Sequence, residues 1–238
     1  MKVLVGTLYC GEGDFDECVK SIREQDYPLE HFVVKDMEEH LAHYELYSTM
    51  KRRNADVMVK VDADMVLKDP GVVRQFVDHI ESGLLRVTYW VDDFFTNQPI
   101  QGIHAYSGKI QVPDKEQFCT ALRRVPDRIP IDRKKTRRID KTVALHCHYP
   151  NEKQSFHFGF HRYLKRSNDK CVNLYKHWKE NDHPMLRMAC LGMWVAYKNS
   201  GTNVYCYGDE FDEVFASHNS RADSLTYRQV RKVIKSIQ

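Results

Sequence analysis

Residues 57–67 read Val-Met-Val-Lys-Val-Asp-Ala-Asp-Met-Val-Leu, an apolar run with two carboxylates one residue apart. Alternation predicts a strand, and a strand would point Asp62 and Asp64 to the same side. Two like charges this close repel each other unless a cation lies between them. Mg²⁺ and Mn²⁺ prefer carboxylate oxygen and also bind substrate phosphates. The stretch therefore predicts a metal–phosphate site at the carboxyl end of a strand. The alternative is a turn with solvated aspartates.

The length and composition indicate an ordinary globular protein. A chain of 238 residues fits one large α/β domain, or a domain with a subdomain. No segment reaches the roughly 20 apolar residues that a membrane span needs. The seven cysteines are odd in number and form no C-x-x-C pair, which favours free thiols. We therefore expect a cytoplasmic protein.

The order of predicted elements indicates a parallel sheet. Apolar strands begin near Val3, His31 and Val57, and helical periodicity separates them, which gives β-α-β-α-β. Consecutive strands of this kind are joined by right-handed crossovers. Ligands gather at the carboxyl ends of such strands. Thr7 and Asp36 lie at these ends, as do the two aspartates of residues 57–67.

The first part of the chain resembles the opening of family 2 glycosyltransferases. Residues 21–28 read Ser-Ile-Arg-Glu-Gln-Asp-Tyr-Pro, a strand ending at Asp36 follows, and Asp62-Ala63-Asp64 comes next. Family members show S-I-x-x-Q-x-Y-P, a strand ending in aspartate and a D-x-D strand in this order. The resemblance covers roughly residues 1–70. It implies an α/β fold of the Rossmann-like GT-A type, with a mostly parallel central sheet flanked by helices and a helical C-terminal part.

The resemblance also implies a donor site. The donor would be a UDP- or GDP-sugar held with Mn²⁺ or Mg²⁺, and the acceptor an unidentified glycan or other hydroxyl compound. The residues carried over are Thr7 and Tyr9 at the nucleotide entrance, Asp36 on the base, Lys51 near the ribose or diphosphate, Asp62 and Ala63 in the nucleotide site, and Asp64 on the metal, with Asp62 as a second metal ligand.

Four histidines lie close together between residues 146 and 161. His146 and His148 would alternate on one strand face, and His157 and His161 would lie one turn apart on a helix. Many GT-A enzymes add a late histidine to the metal site. The resemblance implies that His148 is the first candidate for the metal ligand and His146 the second. For either histidine a structural role is the alternative.

An inverting transferase needs a carboxylate base to accept the proton of the acceptor hydroxyl. The E-D pair typical of the family is missing after the D-x-D motif. Glu152, at a helix start, is the candidate base, with Asp93 or Asp92 as substitutes. The alternative for Glu152 is a first-turn acid that stabilises the helix dipole.

The sequence predicts a nucleotide-sugar-binding core over residues 1–165 and a helical part over 166–238, which forms the acceptor side or a scaffold of the same domain. Residues 123–141 carry a net charge of +6 and are interpreted as a solvated basic loop, or alternatively as an anion-binding segment. The last helix is basic and amphipathic. It is expected to dock onto the domain, with contact to an anionic membrane as the alternative. No nucleic-acid partner is expected.

Two other functions remain open from the sequence. Residues 62–67 also fit the D-x-D-x-V-L motif of haloacid-dehalogenase-type phosphatases, in which Asp62 would attack phosphorus. Residues 208–212 resemble the late acidic motif of those enzymes. However, their nucleophile strand usually lies near the N-terminus, whereas here a complete β-α-β-α precedes Asp62. The third interpretation is a non-enzymatic domain that binds an anionic polymer through residues 123–141. The order of motifs favours a metal-dependent glycosyltransferase of the hexosyltransferase class, and the family resemblance implies that it inverts.

Overall fold

The structure is a computed structural model that describes residues 1–122, 129–199 and 209–237. Its contacts divide the chain into two units. Unit 1 comprises Met1–Asp92 and Pro99–His148, and unit 2 comprises Asp93–Gln98 and Tyr149–Gln238. The units therefore divide at residue 148, whereas the sequence places a boundary at residue 165. The prediction that both parts belong to one domain stays a prediction.

The first three strands and the two helices between them follow the predicted β-α-β-α-β order. The strands are β1 (Val3–Tyr9), β2 (Glu30–Lys35), β3 (Val57–Lys60), β4 (Met65–Leu67), β5 (Arg86–Asp93), β6 (Gln98–Ser107) and β7 (Thr136–His146). The helices are α1 (Phe15–Arg23), α2 (Glu39–Arg52), α3 (Val72–Glu81), α4 (Lys115–Ala121), α5 (Glu152–Leu164), α6 (Asn168–Asn181), α7 (Pro184–Lys198), α8 (Asp209–His218) and α9 (Tyr227–Ile237). The predicted α/β class is confirmed.

The seven strands form one sheet in the order β2-β1-β3-β6-β5-β7-β4. β1 is parallel to both β2 and β3, as the β-α-β-α-β order predicts. β3 pairs antiparallel with β6, and β4 pairs antiparallel with β7. Only four residues join the neighbouring strands β5 and β6, too few for a parallel crossover, so these two are also antiparallel. The sheet is therefore mixed rather than mostly parallel, since the parallel part is its first three strands.

The acidic stretch is interrupted where the sequence predicts one continuous strand. β3 ends at Lys60 and β4 begins at Met65, so the two aspartates lie in a turn between them. β4 forms the opposite edge of the sheet from β2. The chain thus leaves the parallel part at Lys60 and, after four intervening residues, pairs with β7. The aspartates lie at the carboxyl end of β3, as predicted, but a turn orients them rather than strand alternation.

The sheet of unit 1 is covered on both faces. Val5 and Val59 belong to a core cluster that includes Phe76 of α3. Leu4 and Met58, their neighbours in sequence, belong to a second cluster with residues of α2 and α4. Strands buried on both faces read as continuous apolar runs rather than as alternating ones. This explains why β1 and β3 are apolar throughout.

In unit 2, helices α5 and α7 approach each other closely. A Cβ atom on Gly159 would lie 1.7 Å from the Ala189 carbonyl oxygen, and one on Gly192 would lie 2.0 Å from the Phe156 carbonyl oxygen. Only glycine permits this backbone contact. The sequence also predicts a strand over residues 204–207, which lie outside the described part of the chain.

The last helix packs its apolar side onto unit 2. Val230, Val233 and Ile234 of α9 are buried, which agrees with the docking expected from the sequence. No helix in the described part of the chain is both long and apolar enough to cross a membrane.

The basic segment 123–141 is not a loop throughout. Residues 123–128 lie outside the described part, Arg133–Lys135 form a 3₁₀ turn, and β7 begins at Thr136. Ile139 packs against the core of unit 1. A single apolar residue among charges was too weak a signal to extend the strand expected at His146 back to Thr136. The basic side chains of residues 137, 138 and 141 are exposed along it.

Candidate functional site

The carboxyl ends of the three parallel strands lie together. The N–H of Asp36 donates to the Tyr9 carbonyl oxygen at 3.1 Å, and the N–H of Ala63 donates to the Leu8 carbonyl oxygen at 3.1 Å. Burial, together with the charges of Glu12, Asp36 and Asp62, raises the pKa of Cys10 to about 12. Asp36 and Asp62, which come from separate stretches of sequence, therefore both influence the pKa of the Cys10 thiol. They lie at the same end of the sheet, as predicted.

Three donor atoms of different chemistry meet at Asp64. His146 Nε2 and Cys147 Sγ each lie 3.4 Å from Asp64 Oδ2, and they lie 3.6 Å from one another. One ligand atom from each of the three side chains lies within 4.8 Å of the other two. His146 and Cys147 are buried, and the Asp64 side chain is 19% exposed. Carboxylate, imidazole and thiolate are all ligands of divalent metals, so this group fits a metal ion.

The pairing of β4 with β7 explains how these side chains meet. Met65, which follows Asp64, pairs with His146, and the Cys147 N–H donates to the Asp64 carbonyl oxygen at 2.8 Å. Backbone pairing therefore places the end of β7 against the acidic turn. Residues more than 80 positions apart become neighbours through this short edge ladder.

The structure brings His146, and not His148, to Asp64. β7 ends at His146, and Cys147 has a positive φ of 55°. This left-handed residue breaks the alternation that would place both histidines on one face. His148 is exposed and is not part of the metal-binding group found in the described residues.

Asp62 has a different partner from Asp64. The Lys60 ammonium lies 2.9 Å from the Asp62 carboxylate, and the Lys60 side chain is only 4% exposed. A buried ammonium requires a counter-charge, which Asp62 supplies. The repulsion predicted between two neighbouring carboxylates is therefore partly relieved by this chain's own lysine. Asp64 is the aspartate that faces other metal-ligand atoms.

Glu12 is an acid of this region that the sequence analysis missed. It lies between two glycines after β1, and its Oε2 accepts the Cys10 N–H at 2.6 Å. Burial, followed by the negative charge of Asp64, raises the pKa of Glu12 to about 7. The rule that selected Thr7 and Asp36, position at the carboxyl end of a parallel strand, also applies to Glu12 and would have found it.

Thr7 and Tyr9 occupy different environments at the end of β1. Thr7 is fully buried, and its hydroxyl lies 3.0 Å from His31 Nε2 on β2. The Tyr9 ring is half-buried and packs on Phe15 with 4.3 Å between the ring centroids. The Lys35 ammonium lies 5.5 Å from the centroid of the Tyr9 ring. Tyr9 therefore presents an aromatic surface beside a cation, whereas the Thr7 hydroxyl contacts a neighbouring strand.

Lys51 lies at the other end of β3 from the aspartates. Its Nζ donates to the Gly108 carbonyl oxygen at 2.7 Å, and the Gly108 N–H donates to the carbonyl oxygen of Asp56, which precedes β3. A crossover helix runs back along the sheet and ends beside the start of the next strand. The structure therefore does not bring Lys51 to the predicted nucleotide site.

Two of the three candidate bases, Glu152 and Asp93, belong to unit 2. Glu152 is exposed and is the first residue of α5. Asp93 is buried, and its Oδ2 accepts hydrogen bonds from the Thr96 N–H at 2.8 Å and from the Thr96 hydroxyl at 2.5 Å. Asp92, in unit 1, forms an ion pair with Lys68. The carboxylates of Asp93 and Asp92 thus have structural partners.

The remaining histidines of the cluster pack within unit 2. The rings of His157 and His161 lie 5.0 Å apart on α5, and His157 also lies 5.0 Å from the Phe211 ring of α8. Burial lowers the pKa of His161 well below its ordinary value. These ring contacts indicate a packing role for the pair.

No protein-family model matches this chain, and no curated protein sequence matches it. Several solved structures, in contrast, are similar to this chain. A mannosyltransferase from Pyrobaculum calidifontis in complex with GDP-Man and Mn²⁺ matches with a TM-score of 0.45 and 12% identity, over 99% of this chain and 84% of that chain. Residues 1–349 of TarS from S. aureus, in complex with UDP-GlcNAc, match with a TM-score of 0.43 and 12% identity, over 99% of this chain and 91% of that one.

A nucleotidyltransferase also matches over a smaller share of the chain. The CMP:2-keto-3-deoxy-manno-octonic acid synthetase in complex with CTP has a TM-score of 0.37 and 12% identity, over 60% of this chain and 91% of that one. Glycosyltransferases are thus among the structures to which the chain is similar, as the sequence resemblance implies.

Proposed function

We propose that the chain is a metal-dependent glycosyltransferase of the GT-A type, which moves a sugar from a nucleoside-diphosphate donor to a hydroxyl acceptor. The observation that carries this proposal is the meeting of Asp64 and His146 at the carboxyl end of the parallel strands, 3.4 Å apart. A carboxylate and an imidazole at this end of an α/β sheet suit a metal that binds phosphate oxygens.

Asp64 and His146 would hold Mn²⁺ or Mg²⁺. Such a metal supplies charge that stabilises the departing diphosphate. Asp62 would contact the ribose, since its carboxylate is held in place by Lys60. Asp36, just beyond β2, would accept hydrogen bonds from the base. The half-buried Tyr9 ring would stack on the nucleotide at the entrance.

For the acceptor step we propose Glu152 as the general base. Asp93 is the weaker candidate, because its carboxylate already accepts two hydrogen bonds from Thr96 in a buried turn. Glu152 is exposed at the start of α5. A base of this kind removes the proton of the acceptor hydroxyl, as inversion requires.

We also propose that the protein works in a reducing compartment such as the cytoplasm, because the six cysteines in the described part of the chain are all free thiols. Contact with an anionic membrane would rest on the exposed basic residues of α9, since Val230, Val233 and Ile234 of that helix are buried in unit 2.

The proposal is tested by thermal unfolding with UDP, GDP, CDP and the corresponding nucleotide-sugars, each with Mn²⁺ or with a chelator. A ligand at 100 times its dissociation constant stabilises the folded state by about 2.7 kcal/mol. For a chain of this size that corresponds to a rise in Tm of about 5–10 °C. We expect one nucleotide to produce this rise with Mn²⁺, and Asp64→Asn to abolish it.

The same protein preparations distinguish the phosphatase alternative. Hydrolysis of an aryl phosphate with Mg²⁺, lost in Asp62→Asn, together with no response to any nucleotide, would replace the transferase by a phosphatase. A stable Lys51→Met variant serves as the matched control. Because Lys51 lies at the amino end of β3, its substitution should leave the nucleotide response unchanged.

A further inference from the structure

Cys147 is a side chain of the metal-binding group that the proposed transferase does not require. Its Sγ lies 3.4 Å from Asp64 Oδ2 and 3.6 Å from His146 Nε2. The sulfur is therefore about as close to the carboxylate as the imidazole is. The Cys147 residue is only 2% exposed.

The backbone explains why two consecutive side chains point to the same carboxylate. In a continuing strand, His146 and Cys147 would face opposite sides of the sheet. Cys147 instead has a φ of 55°, and its N–H donates to the Asp64 carbonyl oxygen. A residue with a Cβ adopts this left-handed conformation only at an energetic cost. The hydrogen bond from the Cys147 N–H to the Asp64 carbonyl oxygen stabilises this conformation. As a result, the Cys147 thiol lies beside the Asp64 carboxylate and the His146 imidazole.

The chemistry of the three donors differs from that of an all-oxygen magnesium site. Thiolates bind soft and borderline metals such as Zn²⁺, Co²⁺ and Cd²⁺, and imidazole suits zinc and cobalt. Mg²⁺ prefers oxygen ligands and keeps several waters. One carboxylate and one thiolate also balance the charge of a divalent cation. This donor set is therefore selective for borderline transition metals.

We propose that Cys147 is the third protein ligand of the metal held by Asp64 and His146, and that the site prefers Co²⁺ and Zn²⁺ to Mg²⁺. Binding replaces the thiol proton by a metal–sulfur bond and releases that proton to solvent, so no oxidant or reductant is involved. The proposal deepens the proposed function, because it concerns the same site. Its test uses no nucleotide, so either proposal can fail alone.

The first experiment is a titration of the chelator-treated protein with Co²⁺, followed by absorption in the near ultraviolet, where thiolate-to-cobalt charge transfer appears. We expect one equivalent of Co²⁺ to produce this band in the wild type and in Cys119→Ser, a control in the partly buried cysteine of α4. In Cys147→Ser the band should be lost and the affinity for Co²⁺ should fall at least about tenfold. Excess Mg²⁺ should not displace the cobalt.

A second measurement needs no variant. Alkylation of each cysteine is followed by mass spectrometry with Zn²⁺, with Mg²⁺ or with a chelator. Zn²⁺ should slow alkylation of Cys147 more than that of Cys190, which is buried in α7 of unit 2 and reports any general stabilisation. A cobalt band that persists in Cys147→Ser, no band in the wild type, or equal protection of the two cysteines would show that Cys147 is an ordinary buried thiol.

Discussion

Replacing the acid Glu12 by glutamine should stabilise the protein at alkaline pH and leave its stability unchanged at acid pH. Burial and the charge of Asp64 raise the pKa of Glu12 from 4.5 to about 7. The folded state therefore binds this proton more tightly than the unfolded state does. Its contribution to stability is complete below pH 4.5 and is lost as the pH rises through 7. Above pH 7 the folded protein holds an unfavourable carboxylate.

The magnitude follows from 1.36 kcal/mol per pKa unit, which gives a ceiling of about 3.4 kcal/mol at alkaline pH. Glu12 is not fully buried, and we expect solvent screening to leave about 1–2 kcal/mol. The variant Glu12→Gln should therefore equal the wild type in stability below pH 4.5 and exceed it by about 1–2 kcal/mol at pH 8. This corresponds to a rise in Tm of about 2–8 °C.

The assay is urea unfolding between pH 4 and pH 8 in the presence of a chelator, with the exposed Glu116→Gln as the control. In an Asp64→Asn background the gain from Glu12→Gln should shrink, because the second cause of the raised pKa is gone. A gain that is independent of pH, or one that is larger at pH 4 than at pH 8, would refute this reasoning.

Three further predictions concern packing, charge and the acceptor step. Gly192→Ala should destabilise the protein by about 3 kcal/mol or more in urea unfolding, because the added Cβ would clash with the backbone of α5. The control is Gly71→Ala, which should have little effect because its added Cβ would make only ordinary contacts. Lys60→Met should lower stability by about 1–3 kcal/mol, and Asp62→Asn in the same chain should recover part of this loss in a double-mutant cycle. Glu152→Gln should lower kcat in a transfer assay while the dissociation constant of the donor stays the same. Loss of donor binding in that variant would contradict its assignment as a base.

The first half of the sheet could be predicted because each of its signals is local. Apolar strands, helical periodicity and the position of acids after strands all follow from short stretches of sequence. β1, β2 and β3 were found in this way, and so was the carboxyl end where Asp36 and Asp64 lie.

The parts that could not be predicted depend on long-range pairing or on single backbone angles. The approach of His146 to Asp64 occurs where β7 ends, beside the left-handed conformation of Cys147, which no periodicity reveals. The break between β3 and β4 arises because β4 pairs with β7, which lies more than 70 residues later. The expectation that Lys51 lies near the diphosphate came from the family resemblance alone. Lys51 is in the last turn of α2, and a crossover helix ends at the opposite end of the sheet from the aspartates.

The central claim, that Asp64 belongs to a metal site which binds a nucleoside diphosphate, is tested most directly by calorimetric titration. UDP and GDP are titrated into the wild type and into Asp64→Asn, with Mn²⁺ or with a chelator. Binding of metal and nucleotide should be coupled, and this coupling is reciprocal. We predict that one of the two nucleotides binds the wild type with Mn²⁺, and that its affinity falls at least about tenfold with chelator or in the variant. Equal affinity under all four conditions, or no binding of either nucleotide, would contradict the claim.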